Sequence, residues 1–133
     1  MSPERLDPKG FGFEDGRVMN ESDCSYYYYA LGMVILEVIT GQHPFPLDYS
    51  DFAVILKVIN GKRPERPRGG EAVWLTDDLW KMLEQCWSPK PKLRPTAEAI
   101  LEHLERASTA WKPLPPIGGS FESDDGYNEP LLL

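Results

Sequence analysis

Apolar positions along this chain fall into four helical patterns, and one of them has no polar side. The stretch Ala30-Leu31-Gly32-Met33-Val34-Ile35-Leu36-Glu37-Val38-Ile39-Thr40-Gly41 carries a single charge, and its apolar residues neither alternate nor form one stripe. A helix that is apolar all round is usually buried all round. The stretch is much shorter than the roughly 20 apolar residues of a membrane span. It is therefore expected to be the central helix of a soluble domain, with other helices packed around it. Gly41 stands where a left-handed C-cap glycine would end it. The helix is expected over 22–40, and it opens on an odd run, Ser22-Asp23-Cys24-Ser25-Tyr26-Tyr27-Tyr28-Tyr29.

The other elements follow from periodicity and punctuation. Pro3 to Leu6 suits a short helical turn, with Ser2 at the N-cap and Pro3 at the first helical position. The chain to about Asn20 reads as loop. Ser50 is placed to cap a helix in which Phe52, Ile55, Leu56 and Ile59 fall at i, i+3, i+4 and i+7, and Asn60-Gly61 closes it. Residues 62–73 form a basic loop with prolines and glycines. Thr76 caps the next helix, whose stripe is Leu79, Met82, Leu83, Cys86 and Trp87, with Asp77 and Asp78 in the first turn. Thr96 caps the last, with Ile100, Leu101 and Leu104 inward. The fold class expected is all-α, about four main helices. Residues 1–107 form the folded part. Residues 108–133 form a flexible tail rich in Pro, Gly and acids, with Glu122, Asp124, Asp125 and Glu129.

Charge and chemistry narrow the function. A net charge of −7 and a pI near 4.8 argue against a nucleic-acid or anionic-membrane surface. Cys24 and Cys86 match no metal spacing, and so few cysteines make a disulfide framework unexpected. His43 and His103 have no partner at ligand spacing and are read as packing or surface residues. No basic-then-apolar signal precedes the domain, so a cytoplasmic protein is expected.

The landmarks, taken in order, resemble the second half of the C-terminal lobe of a protein kinase. Ser2-Pro3-Glu4 looks like the motif that ends the activation segment. Ser22-Asp23 followed by Gly32 to Gly41 looks like the family's buried central helix, and Pro44-Phe45 like its Pro-Phe pair. Cys86-Trp87, Pro89 and Arg94-Pro95 resemble the pattern before the last helix, in the version of tyrosine kinases and tyrosine-kinase-like serine/threonine kinases. The resemblance implies that Glu4 and Arg94 form a buried ion pair. Spacing alone leaves open two exposed charges. It implies that Trp87 packs under the same loop, and that Asp23 holds the catalytic loop, although an N-cap is an equally natural role for that aspartate. It implies that Val34 and Val38 form the floor of a hydrophobic stack. Glu37 matches a position that contacts basic substrate residues in some kinases.

Phosphoryl transfer in the family rests on a Gly-rich loop, a strand lysine, a His-Arg-Asp base and an Asp-Phe-Gly metal ligand. None occurs in this sequence. Gly10-Phe11-Gly12-Phe13 has glycines at a suggestive interval, but follows no expected strand and reads as loop. No catalytic, cofactor-binding or metal residue is therefore assigned to this chain. ATP and Mg are implied for the parent family only. The spacing from Asp23 to Gly32 also exceeds the family's, as if Ser25-Tyr26-Tyr27-Tyr28 were inserted. Four helical residues add about 400° and roughly 6 Å. The alternatives are an extra helical turn, which displaces Asp23, or a bulge, which leaves it in place. In the tail, Lys112-Pro113-Leu114-Pro115-Pro116 could be a polyproline ligand, and Ser120, Ser123 and Tyr127 stand beside acids as phosphorylation candidates.

Two functions are thus expected. One is a partial protein kinase domain, inactive alone, whose parent class transfers phosphate from ATP to protein hydroxyls. The other is a non-catalytic interaction module or truncated gene product. Protein substrates or partners are expected in either case, with self-association through apolar surface left uncovered.

Overall fold

The computed structural model describes residues 1–12, 24–48, 50–68 and 74–110. Its helices are α1 (Pro3–Leu6), α2 (Ser25–Thr40), α3 (Asp51–Ile59), α4 (Asp77–Cys86) and α5 (Ala97–Ala110), with a 3₁₀ turn at Pro91–Leu93 before α5. No strand occurs among the described residues. The architecture is all-α. Residues 111–133, including the tail's acids, prolines and phosphorylation candidates, lie outside the described residues, as do Ser22 and Asp23.

The caps explain where each helix begins and ends. Ser50 Oγ accepts from Ala53 N at 3.2 Å, Thr76 Oγ1 from Leu79 N at 3.2 Å, and Thr96 Oγ1 from Ala99 N at 3.3 Å. Each satisfies one orphan amide of a first turn. Gly41 ends α2 at φ 66°, its N–H donating to Glu37 O at 2.8 Å, and the left-handed conformation is one that glycine adopts without a Cβ penalty. Ser2 occupies the cap position of α1, but its side chain makes no capping bond. The tyrosines belong to regular helix: α2 starts at Ser25, so residues 25–29 form helical turns rather than a bulge.

The core is made by α2, α4 and α5. Leu79, Met82, Leu83, Cys86 and Trp87 are all buried, with Tyr29, Leu36 and Ile100 beside them. The contact between α2 and α4 is close because Gly32 lies at the crossing. A Cβ on Gly32 would stand 2.7 Å from Cys86 Cβ and 2.8 Å from Trp87 Nε1.

Two expected apolar faces are corrected. In α3, Phe52 and Leu56 point outward (70% and 45% exposed), and the residue driven into the core is Val58. Val54 packs behind it, one turn earlier. Asp51-Phe52-Ala53-Val54-Ile55-Leu56-Lys57-Val58-Ile59 is apolar on two faces, so its period alone does not choose which face turns inward. In α5, Ile100 is buried and Leu104 half-buried, but Leu101 is 55% exposed.

The central helix is itself two-faced. Its inner line of Ser25, Tyr29, Gly32, Leu36 and Thr40 is buried. Its outer line of Tyr27, Leu31, Val34 and Val38 is 56%, 38%, 54% and 78% exposed. The expectation of burial on all sides therefore holds for one face and fails for the other among the described residues.

Candidate functional site

The most organised polar cluster of the fold is built from four distant segments. Arg94, just after the 3₁₀ turn, reaches Glu4 in α1 through two parallel bonds. Its Nη1 donates to Glu4 Oε1 at 2.6 Å and its Nη2 to Oε2 at 2.9 Å, and both side chains are fully buried. The same guanidinium donates from Nη1 to the Ser25 carbonyl at 3.1 Å, and from Nε to the Ser88 carbonyl at 3.0 Å. One side chain thus ties α1, the first turn of α2 and the segment between α4 and α5. A planar guanidinium suits this because its donors lie in a rigid fork that matches a carboxylate.

Tyr29 lies between two cations. Its ring faces Arg94 at 5.1 Å and Arg63 at 5.2 Å from the ring centre. Such contacts are worth about 0.5–2 kcal/mol, more when water is excluded. Arg63 in turn donates from Nε to the Trp87 carbonyl at 2.9 Å and from Nη1 to the Val58 carbonyl at 3.2 Å, capping the ends of α3 and α4 from one position. Trp87 is buried, and Trp80 meets it edge-on with ring centres 5.6 Å apart.

The electrostatics are those of a structural tie. Burial pushes the Glu4 carboxyl up, but the hydrogen bonds from Arg94 and the backbone, with the charge of Arg94, bring it below the ordinary value. A carboxylate so held is a poor proton acceptor near neutrality, and arginine does not give up its proton. The cluster therefore holds segments in place. Burial raises the Tyr29 phenol, against the lowering effect of Arg63 and Arg94.

The sequence-expected residues separate in space. Glu4 and Arg94 meet in the cluster, and Trp87 joins it through Arg63. Glu37 is exposed on α2, away from the cluster. Val34 and Val38 lie on the outer face of that helix. Asp23 lies outside the described residues. Tyr29 and Arg63 were not singled out by the sequence. Tyr29 was one of four tyrosines in a row, and Arg63 one of several cations in a proline-containing loop, with nothing local to distinguish either.

Among the described residues no group of three or more His, Cys, Asp or Glu could hold a metal ion. Gly10 and Gly12 belong to the turn after α1, where Gly10 N donates to Asp7 Oδ1 at 3.1 Å. That glycine pair follows the short helix α1 rather than a strand, whereas a phosphate-cradling loop follows a strand. His43 Nδ1 accepts from Phe45 N at 3.1 Å, and His103 lies between Asp78 and Arg106.

The two cysteines are both free. Cys24 is exposed, whereas burial pushes the Cys86 thiol up to about 12, only partly offset by Arg94. Thiolate is the reactive form, and at pH 8 such a thiol supplies it at on the order of one part in ten thousand. Iodoacetamide at pH 8 is expected to alkylate Cys24 and spare Cys86 in the folded chain, and to label both in guanidinium. Mass spectrometry of the two peptides checks this, and rapid native labelling of Cys86 would refute the packing between α2 and α4.

Comparisons with known proteins show the family to which the chain belongs. A family model for protein tyrosine and serine/threonine kinase matches residues 12–104. The chain is 34% identical over 106 residues to the proto-oncogene tyrosine-protein kinase ROS of Homo sapiens, covering 79% of this chain and 4% of that protein. It is 29% identical over 103 residues to the dual specificity mitogen-activated protein kinase kinase mek-1 of Caenorhabditis elegans, covering 77% of this chain and 26% of that protein. It is 33% identical over 115 residues to the probable serine/threonine-protein kinase PkwA of Thermomonospora curvata, covering 85% of this chain and 13% of that protein. The chain thus spans about a quarter or less of the length of these curated relatives. With most of its residues matched by the family and by both its tyrosine and its serine/threonine members, the chain belongs to the protein tyrosine and serine/threonine kinase family.

Proposed function

We propose that this chain is the helical base of a protein kinase catalytic lobe, and that it transfers no phosphate by itself. The parent activity is transfer of the ATP γ-phosphate to protein hydroxyls, with ATP and Mg held by parts of a kinase domain that these 133 residues do not supply. The observation that carries this reading is the buried, bidentate Glu4–Arg94 pair, which fixes a Ser-Pro-Glu segment on a helical base. No helix among the described residues is long and apolar enough to cross a membrane, and a cytoplasmic location accompanies the proposal.

Purified chain incubated with radiolabelled ATP, Mg and a mixed peptide library is expected to show no transfer above background. The control is Glu4→Ala, which breaks the tie. Transfer by the parent chain that the control abolishes would sink the proposal, whereas transfer that survives in the control marks a contaminant.

A second reading is a non-catalytic interaction module, and the outer face of α2 favours it. Tyr27, Leu31, Val34 and Val38 follow one another at intervals of four, three and four, the spacing of a seam made for another helix or layer. Each such side chain left bare forgoes about 1.5–3 kcal/mol of burial. Unless covered, this face is expected to drive self-association at micromolar concentration. Sedimentation of the purified chain should show dimers or larger species that Val34→Glu with Val38→Lys converts to monomer. A sharp two-state transition of a parent monomer would contradict this. In-frame His-Arg-Asp and Asp-Phe-Gly codons upstream of Met1 in the transcript would favour the kinase reading over the module.

A further inference from the structure

The outer face of α2 carries its own indication of what covers it. Tyr27, Leu31, Val34 and Val38 are spaced four, three and four apart, so the row reads the same from either end. A second copy of the helix, turned end for end, therefore sets Leu31 against the partner's Val34 and Tyr27 against the partner's Val38. Every apolar side chain of the row then meets an apolar one, in layers like those of a coiled-coil core. All four are exposed in the single chain, Val38 the most. The pairing asks for no rearrangement within either chain, because Tyr29, Gly32 and Leu36, which are buried, lie on the opposite side of α2.

Charges decide the direction. Glu37 is the one charged residue of α2 and lies beside Val38. It is exposed and forms no ion pair among the described residues. Arg5 stands at the other end of the row. Its guanidinium lies 4.6 Å from the centre of the Tyr26 ring, and that ring is 4.0 Å from the ring of Tyr27. Arg5 too is exposed and has no carboxylate partner among the described residues. Tyr26 and Glu37 stand about three helical turns apart, and so flank the same side of the row. A parallel pair would bring Glu37 to the partner's Glu37, and Arg5 to the partner's Arg5. An antiparallel pair brings each Glu37 to the end of the row where the partner's Arg5 lies, and does so twice. Flanking charges of this kind set orientation and register, because like charges brought together are costly.

We propose that two copies of this chain pair through α2 in an antiparallel, two-fold arrangement, with Leu31 and Val34 at the axis and the Glu37 carboxylate of each copy meeting the Arg5 of the other. The pairing rests on the interaction-module reading and supplies its partner, a second copy of the chain. It uses no residue of the Glu4–Arg94 cluster, on which the kinase reading stands.

The test uses the full chain at tens of micromolar. Sedimentation is expected to show a dimer. Arg5→Glu and Glu37→Arg, each of which sets like charges together at both ends of the pair, are expected to raise its dissociation constant several-fold. The two substitutions combined should bring it back to the parent value. An unchanged helical circular dichroism signal separates loss of pairing from loss of fold. A nitroxide on Cys24, the exposed thiol, reads the direction. The antiparallel register sets Cys24 opposite the partner's Gly41, so two labels are expected roughly 25 Å apart along the helix axis, at about 1.5 Å per residue. Double electron–electron resonance resolves that distance, whereas labels side by side in a parallel pair broaden the continuous-wave spectrum. A monomer at this concentration would overturn the pairing together with the self-association expected of the module. A dimer with side-by-side labels, or one whose dissociation constant ignores the charge reversals or is not restored by their combination, would overturn the pairing alone and leave the module reading standing.

Discussion

Arg94→Met is expected to cost about 3–5 kcal/mol, because it leaves the Glu4 carboxylate buried without its cation. Folded domains of this size are stable by only about 5–15 kcal/mol. The variant should therefore lose most of its cooperative thermal transition, as followed by helical circular dichroism. Glu4→Met should do comparable damage from the other side. The paired variant, Glu4→Met with Arg94→Met, is the informative one. Replacing both members of a buried pair by apolar residues is often neutral or better, but here Arg94 also serves the carbonyls of Ser25 and Ser88. Each unpaired carbonyl costs about 1–3 kcal/mol if buried dry. Partial rescue is thus expected. Full additivity of the single losses would show that the two residues do not act as a pair.

The same pair sets an acid limb. The Glu4 carboxyl is held below its ordinary value in the fold, while in the unfolded chain it titrates near 4.3. Its contribution is present above that unfolded value and is lost as the pH falls through the lower, folded one. Arg94→Met should remove this limb from the stability-versus-pH curve.

The second large effect is expected at Gly32. On propensity alone, Gly→Ala inside a helix stabilises by roughly 1 kcal/mol. Here the new methyl would meet Cys86 Cβ at 2.7 Å and Trp87 Nε1 at 2.8 Å. Neither neighbour yields easily, since one is a Cβ fixed to α4 and the other belongs to a rigid, buried indole. Overpacking of this kind costs about 1–3 kcal/mol. Gly32→Ala should be destabilising despite its propensity, and Gly32→Val considerably more so. Chemical denaturation midpoints at constant slope measure both. A stabilised Gly32→Ala would show that α2 and α4 are farther apart than described.

These two sites differ in how far the sequence revealed them. The caps at Ser50, Thr76, Thr96 and Gly41 are local chemistry, and each helix end follows from two or three adjacent residues. The α4 stripe was equally legible, because Asp77-Asp78 and Lys81 mark its wet side. The faces of α3 and α5 were not. Phe52 and Leu56 look as apolar as Val54 and Val58, and only the packing of α3 against α1 and the core decides between them. Arg94 could be paired with Glu4 only through the family resemblance, since ninety residues separate them. Arg63 and Tyr29 were hidden altogether, because their roles consist of contacts with carbonyls and rings from remote segments. Gly32 gave half its meaning away: a glycine in an apolar helix signals close approach, but not to which neighbour.

The two-faced character of α2 bears on how long such a chain persists in a cell. A row of bare apolar side chains on an otherwise folded helix is the kind of surface that holdase chaperones bind and that marks a protein for proteolytic turnover. Abundance of this polypeptide is therefore expected to depend on whether Tyr27, Leu31, Val34 and Val38 are covered. A partner that shields them would lengthen its lifetime without altering a single buried contact.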